Sequence, residues 1–275
     1  NGNFVILEEN KFQILDFQGE HAKYGITKVS KEFGDVYKGD YAHFTLKEIF
    51  EQHETILKAG EKTEEAIEKA ADLIKHAKNI YVTGSGTSYN SALIAKQIFS
   101  KYAKIKAEPI ISSELQFSPE SIEENSIVIA LSQSGESADV LEAVKIGKQV
   151  NCKIIAIVNL MTSSLVREAD IAIGMNCGPE IGVAATKSFT SQLVILYKIV
   201  QELTDNKITI NFEKFAESIL KILENPEKIK TIAKEMKNIS DIYVLGRGIN
   251  YPIAKEAALK LKELTYIHAE GIPGG

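Results

Sequence analysis

Ser132, Gln133, Ser134 and Ser137 stand within six residues of one another, directly behind the apolar run Ile127 to Leu131. Thr87 and Ser88 sit in the stretch GSGTSY, behind a second apolar run. Hydroxyls, backbone N–H groups and helix dipoles gathered at helix starts bind anions, phosphates above all, without a fixed positive charge. Arg167 and Arg247 are the only arginines, so a bidentate guanidinium clamp is not the expected device. One serine in such a place reads as an ordinary helix cap; the whole cluster points to a phosphate monoester. Far down the chain, Glu256, Lys260 and Glu263 are spaced i, i+4, i+7, which puts them on one helix face. A carboxylate beside a cation suits proton transfer next to a carbonyl, with the cation steadying an enediolate. The same spacing also describes a solvated salt-bridge stripe. Spacing by itself leaves both readings open.

The glycines of GSGTSY do not complete a dinucleotide fingerprint. Tyr89 stands where the third glycine belongs, and the next strand ends in Ser112 and Ser113 with no acid for a ribose. A Walker lysine is absent too, and no cofactor or metal is expected.

The elements that must position these groups follow from residue 79 onward. Apolar runs NIYVTG, KAEPII, SIVIAL, KIIAIV and DIAIGM alternate with helical patterns over 88–102, near 113–118, 136–149 and 183–204. Continuous apolar strands separated by helices predict an α/β fold: a three-layer α-β-α sandwich on a parallel sheet. In a doubly wound sheet the first and third strands flank the point where strand order reverses, so both hydroxyl-rich loops would face one crevice. Upstream, residues 4–17 read as a hairpin, 18–42 as polar connecting chain, and 43–78 as helical.

Compared with itself at an offset of 162, the chain repeats. IYVTGSGTSYNSALIAK at 80–96 aligns with IYVLGRGINYPIAKEAA at 242–258, matching at Gly84/Gly246, Gly86/Gly248 and Tyr89/Tyr251 among others. The second copy is expected to hold leading helices, one strand and one helix before the chain stops at Gly275. Its sheet faces would then lean on the first copy, on another subunit or on further chain.

With 275 residues, 44% of them hydrophobic and 25% charged, the chain has length for one large or two modest domains. A net charge of -5 offers no field for a nucleic acid, and no apolar run has the ~18 residues of a membrane helix. Two cysteines, Cys152 and Cys177, make no disulfide framework and fit the cytoplasm. Asn1 is not Met, and no charged-then-apolar leader follows, so the chain reads as unsecreted and as part of a longer one.

GSGTSYNS, SSELQF, LSQSGESAD, SSLVREAD, EIGVAATKSFTSQ, LGRGINYPIAKEAALKLKELTYIHAE and HFTLKEIFEQ together resemble the glucosamine-fructose-6-phosphate aminotransferases, which are glutamine-hydrolysing members of the sugar isomerase (SIS) domain family. The resemblance covers nearly all of 43–275 and implies tandem flavodoxin-like SIS folds, one complete and one begun. It divides the chain into a hairpin remnant of a glutaminase domain (1–20), a linker (21–45), a first SIS domain (46–210) and the start of a second (211–275). It implies conversion of fructose 6-phosphate and ammonia to glucosamine 6-phosphate by a homodimer. Ser88, Ser132, Gln133, Ser134 and Ser137 match phosphate binders, with Ser137 where threonine is commoner. Thr87 lines the sugar, Val183 matches a backbone contact, and Ala185 stands where serine is usual. Glu263 matches the base acting on the first two sugar carbons, with Lys260 and Glu256 beside it. The family's nucleophilic cysteine, ring-opening histidine and Schiff-base lysine are not matched, and His268 belongs to the HAE motif. The expectation is therefore binding of the sugar phosphate without complete catalysis. A non-catalytic phosphosugar regulator or a plain phosphosugar isomerase is the alternative.

Overall fold

Apolar residues on either side of EENK fold back on one another: β1 (Phe4–Glu8) pairs antiparallel with β2 (Lys11–Leu15), Phe4 opposite Leu15 and Glu8 opposite Lys11. Phe4 and Phe17 meet edge to face at 5.7 Å. A lone hairpin buries little, and these residues belong to a unit, 1–37, distinct from 38–275. The structure, a computed structural model, describes residues 3–25 and 37–275. Much of the expected linker, residues 26–36, lies outside the described residues.

The larger unit begins with α1 (Phe44–Lys58) and α2 (Glu64–His76), followed by β3 (Ile80–Gly84), α3 (Thr87–Ile98), β4 (Glu108–Ile111), α4 (Ser112–Leu115), β5 (Ile127–Ser132), α5 (Ala138–Gln149), β6 (Lys153–Val158), α6 (Ser164–Glu168), β7 (Ile171–Gly174) and α7 (Lys187–Leu203). The five strands β3 to β7 form one parallel sheet in the order β4-β3-β5-β6-β7. That is the flavodoxin-like order 2-1-3-4-5, with the reversal between β3 and β5. Pro109 sits in β4, at the sheet edge, where its missing N–H costs least. Residue parity splits the core into two layers. Ile127, Ile129 and Leu131 pack with the α2 and α7 side, whereas Val128 and Ala130 pack with Val140 and Val144 of α5. Burying a side chain such as Ile129 fully is worth about 1.5–3 kcal/mol.

The second copy contributes α8 (Phe212–Leu223), α9 (Glu227–Glu235), β8 (Asp241–Gly246), α10 (Asn250–Thr265) and β9 (His268–Pro273). β9 was not expected: HAEGIP has neither an apolar run nor a strict alternation. It exists because β8 offers it a parallel edge, Tyr243 opposite Glu270. That register reproduces the first copy, in which Tyr81 lies opposite Glu108, at the same offset of 162. Gly86 and Gly248 both take left-handed backbone, φ 55° and 54°. α10 packs on α3 of the first copy as well as on β8 and β9, while Tyr243 and Leu245 on the outer side of β8 are each 65% exposed.

Candidate functional site

Both hydroxyl-rich loops open into one cleft of about 320 Å³ at the carboxyl ends of β3 and β5. Thr87 and Ser88 reach it from the start of α3, and Ser132, Gln133, Ser134 and Ser137 from the β5–α5 loop. Val183 and Ala185 line it from the loop before α7, and Glu263 from α10. No lysine or arginine lines the cleft among the described residues. A monoanionic or dianionic group would therefore meet hydroxyls and two helix N-termini, with no cationic side chain in the lining.

The β5–α5 loop takes its shape from the backbone upward. Gly135 has φ +66°, and an added Cβ would lie 2.6 Å from the Ser163 Cβ, so only glycine fits. The Gly135 N–H donates to Ser132 Oγ at 3.0 Å, and the Glu136 N–H to Ser134 Oγ at 3.1 Å. Those bonds occupy lone pairs; Ser132 and Ser137 share one hydroxyl hydrogen across 3.4 Å, and the Ser134 hydrogen stays available. Ser137 occupies the N-cap position of α5 without a side-chain capping bond, and α3 is preceded by Gly86. Simple capping therefore does not account for these hydroxyls. The Glu136 carboxyl is held below the usual carboxylate range, chiefly by the Ser164 N–H that donates to it at 2.7 Å.

The acid-lysine-acid helix meets α3 through Thr87. Thr87 Oγ1 donates to Glu256 Oε1 at 2.9 Å and accepts from Lys260 Nζ at 2.9 Å. Asn90 Nδ2 donates to the other Glu256 oxygen at 2.8 Å. Lys260 Nζ lies 3.2 Å from Glu256 and 2.7 Å from Glu263 Oε2, the latter off the direction of a hydrogen bond. The solvated stripe is thus excluded for this face: Glu256 is only 5% exposed. Of the three, Glu263 alone lines the cleft; Glu256 and Lys260 stand behind Thr87. Glu263 Oε2 is buried without a hydrogen-bond partner among the described residues.

Helix α7 starts at Lys187 rather than near 183 because two carboxylates hold the preceding loop out of the helix. Buried Glu48 of α1 accepts from the N–H groups of Ile181 and Gly182 at 2.5 and 2.9 Å. Glu180 accepts from the N–H groups of Thr186 and Ser188 at 2.9 and 3.1 Å, complementing the positive end of α7. Lys187, 2% exposed, pairs with Glu51 at 2.6 Å. Asn90, Gln192, Glu48, Glu180 and Ser188 also hold these loops, and no local pattern marks them. Their one legible signal was membership of KEIFEQ, GTSYNS and EIGVAATKSFTSQ. Among the described residues no His, Cys, Asp and Glu cluster suits a metal ion, and no helix is long and apolar enough to cross a membrane.

The SIS domain family model matches residues 73–201 and 235–275. Over 283 residues the chain is 37% identical to a glutamine--fructose-6-phosphate aminotransferase [isomerizing] of Pyrococcus horikoshii, covering 100% of this chain and 47% of that relative. It is 35% identical to the protein of the same name in Thermotoga maritima, covering 100% of this chain and 48% of the relative. The chain thus spans about half the length of the curated relatives it matches. Among solved structures it resembles the C-terminal domain of glucosamine-fructose-6-phosphate aminotransferase from Francisella tularensis, with a TM-score of 0.75 and 38% identity over 86% of this chain and 72% of that one.

Proposed function

The chain belongs to the SIS domain family, in its glutamine–fructose-6-phosphate aminotransferase branch, and from that premise we propose that it binds fructose 6-phosphate and serves the isomerase part of glucosamine 6-phosphate synthesis. One observation carries the reading: Glu263, brought by α10, lines the same cation-free, hydroxyl-rich cleft as the β3–α3 and β5–α5 loops. Ser88, Ser132, Gln133, Ser134 and Ser137 hold the phosphate, Thr87 and the backbone at Val183 bound the sugar, and Glu263 faces its first two carbons. As base, Glu263 takes a proton from C1 and returns it at C2, and Lys260, 2.7 Å from Glu263, offsets the enediolate charge. Glu256 holds Lys260 and Thr87 in place. Ammonia comes from glutamine hydrolysed elsewhere in the whole aminotransferase.

We place the protein in the cytoplasm, which its two free, buried cysteines support, and we propose a two-fold dimer, which the exposed apolar residues of β8 support. Light scattering at micromolar concentration tests the dimer. Calorimetry with fructose 6-phosphate against Ser134→Ala tests the site. Losing a hydrogen bond to a charged group costs roughly 1.5–3 kcal/mol, about ten- to hundredfold in affinity. Equal affinity in the variant and the parent would overturn the phosphate assignment. Glu263→Gln leaves binding nearly unchanged while isomerisation in the whole aminotransferase falls by ~10²–10⁴.

A further inference from the structure

We infer that Gln192 fixes the direction of the Ser88 hydroxyl, making Ser88 a dedicated donor toward the anionic end of the ligand; this rests on the sugar-phosphate reading above. Gln192 lies on α7 beneath the cleft, 1% exposed, and its Nε2 donates to Ser88 Oγ at 2.9 Å. A serine hydroxyl carries one hydrogen and two lone pairs. With a lone pair engaged by the amide and no acceptor for its hydrogen among the described residues, Ser88 presents that hydrogen to the cleft it lines. Gln192 Oε1 is buried without a partner.

Ser188 shows the opposite polarity in the same cleft. Its Oγ donates to Glu180 Oε2 at 2.5 Å, and Glu180 is itself anchored by the N–H groups of Thr186 and Ser188. The Ser188 hydrogen is therefore spent, and only lone pairs face the ligand. An oxyanion is repelled there and a sugar hydroxyl is accepted. Gln192 and Glu180 thus act as positioning residues that set the two ends of the cleft: anion at Ser88, hydroxyl at Ser188.

The test is calorimetric titration of fructose 6-phosphate and of inorganic phosphate into the parent chain, Ser88→Ala, Gln192→Met, Gln192→Glu and the double variant Ser88→Ala/Gln192→Met. Thermal melting of each variant reports folding. Gln192→Met should weaken both ligands by about three- to tenfold, the share of a charge-assisted hydrogen bond lost when the hydroxyl is free to turn. The double variant should bind no more weakly than Ser88→Ala. Gln192→Glu, which keeps the side-chain volume should methionine unfold the core, draws the Ser88 hydrogen inward and should weaken both ligands further. Gln192 variants that bind as the parent does, or that cost as much with Ser88 already removed, overturn the inference alone. Absence of binding by the parent, or indifference to Ser88→Ala, overturns the sugar-phosphate reading and this inference with it.

Discussion

Thr87 Oγ1 donates to Glu256 Oε1 at 2.9 Å across 169 positions of sequence, and accepts from Lys260 Nζ at the same distance. One hydroxyl therefore ties α3, the helix after the first strand of one copy's sheet, to α10, the matching helix of the other. It serves one oxygen of a buried carboxylate and one donor of an ammonium at once, with Asn90 on the other oxygen. Thr87 is thus a joint on which the approach of Glu263 to the cleft depends, besides being part of the cleft wall.

Thr87→Val keeps the branched shape and removes the hydroxyl, leaving Glu256 and Lys260 each short of a partner. Stability to urea should fall by about 1–3 kcal/mol, and Thr87→Ser should restore most of it. A valine variant with the parent's urea midpoint would show that the joint carries no stability.

Gly135→Ala should damage the cleft more than its size suggests. The position combines φ +66° with the Ser163 side chain inside contact distance of any Cβ. The loop must move, taking Ser132 and Ser134 with it, so fructose 6-phosphate affinity should drop at least tenfold while far-ultraviolet circular dichroism stays native. That factor equals about 1.4 kcal/mol of binding free energy. Gly86→Ala meets open space but shares the left-handed backbone, so its cost is confined to strain.

Acid should loosen the junction of α1 with α7. Burial raises the Glu51 pKa, but Lys187 and Lys47 outweigh it and hold the carboxyl below its usual 4.5. A depressed folded-state pKa contributes stability that is complete above 4.5 and is lost as pH falls through the folded value. Glu51→Gln should therefore melt lower at neutral pH and show a flatter dependence of melting temperature on pH below 4.5. Parallel pH profiles for the two proteins would refute this.

Cys177 should stay unmodified by thiol reagents at neutral pH in the folded protein. It is 2% exposed, and burial, with Glu180 nearby, pushes its thiol up to about 12. The thiolate is the reactive form. Titration with a chromogenic disulfide should detect Cys177 only after denaturant is added; stoichiometric reaction before unfolding would contradict the burial.

The strands, their parallel pairing and the two hydroxyl loops were legible in the sequence because each depends on near neighbours. Ile127 to Leu131 can only be a buried strand, and Ser132 to Ser137 must follow it at the sheet's edge. The internal repeat was equally open to inspection, and the structure carries its offset into the strand register. Which distant side chains meet was decided by tertiary packing. The Gln192 bond to Ser88 spans 104 positions and the Glu48 bond to Ile181 spans 133, and no local period encodes either. The same holds for β9, whose residues have no strand pattern and are extended only because β8 presents an edge. The spacing of Glu256, Lys260 and Glu263 on one helix face left a solvent stripe and a catalytic group equally open. Burial of Glu256 against Thr87 and Asn90 removed the solvent stripe, because a carboxylate out of water needs donors that only another part of the fold supplies.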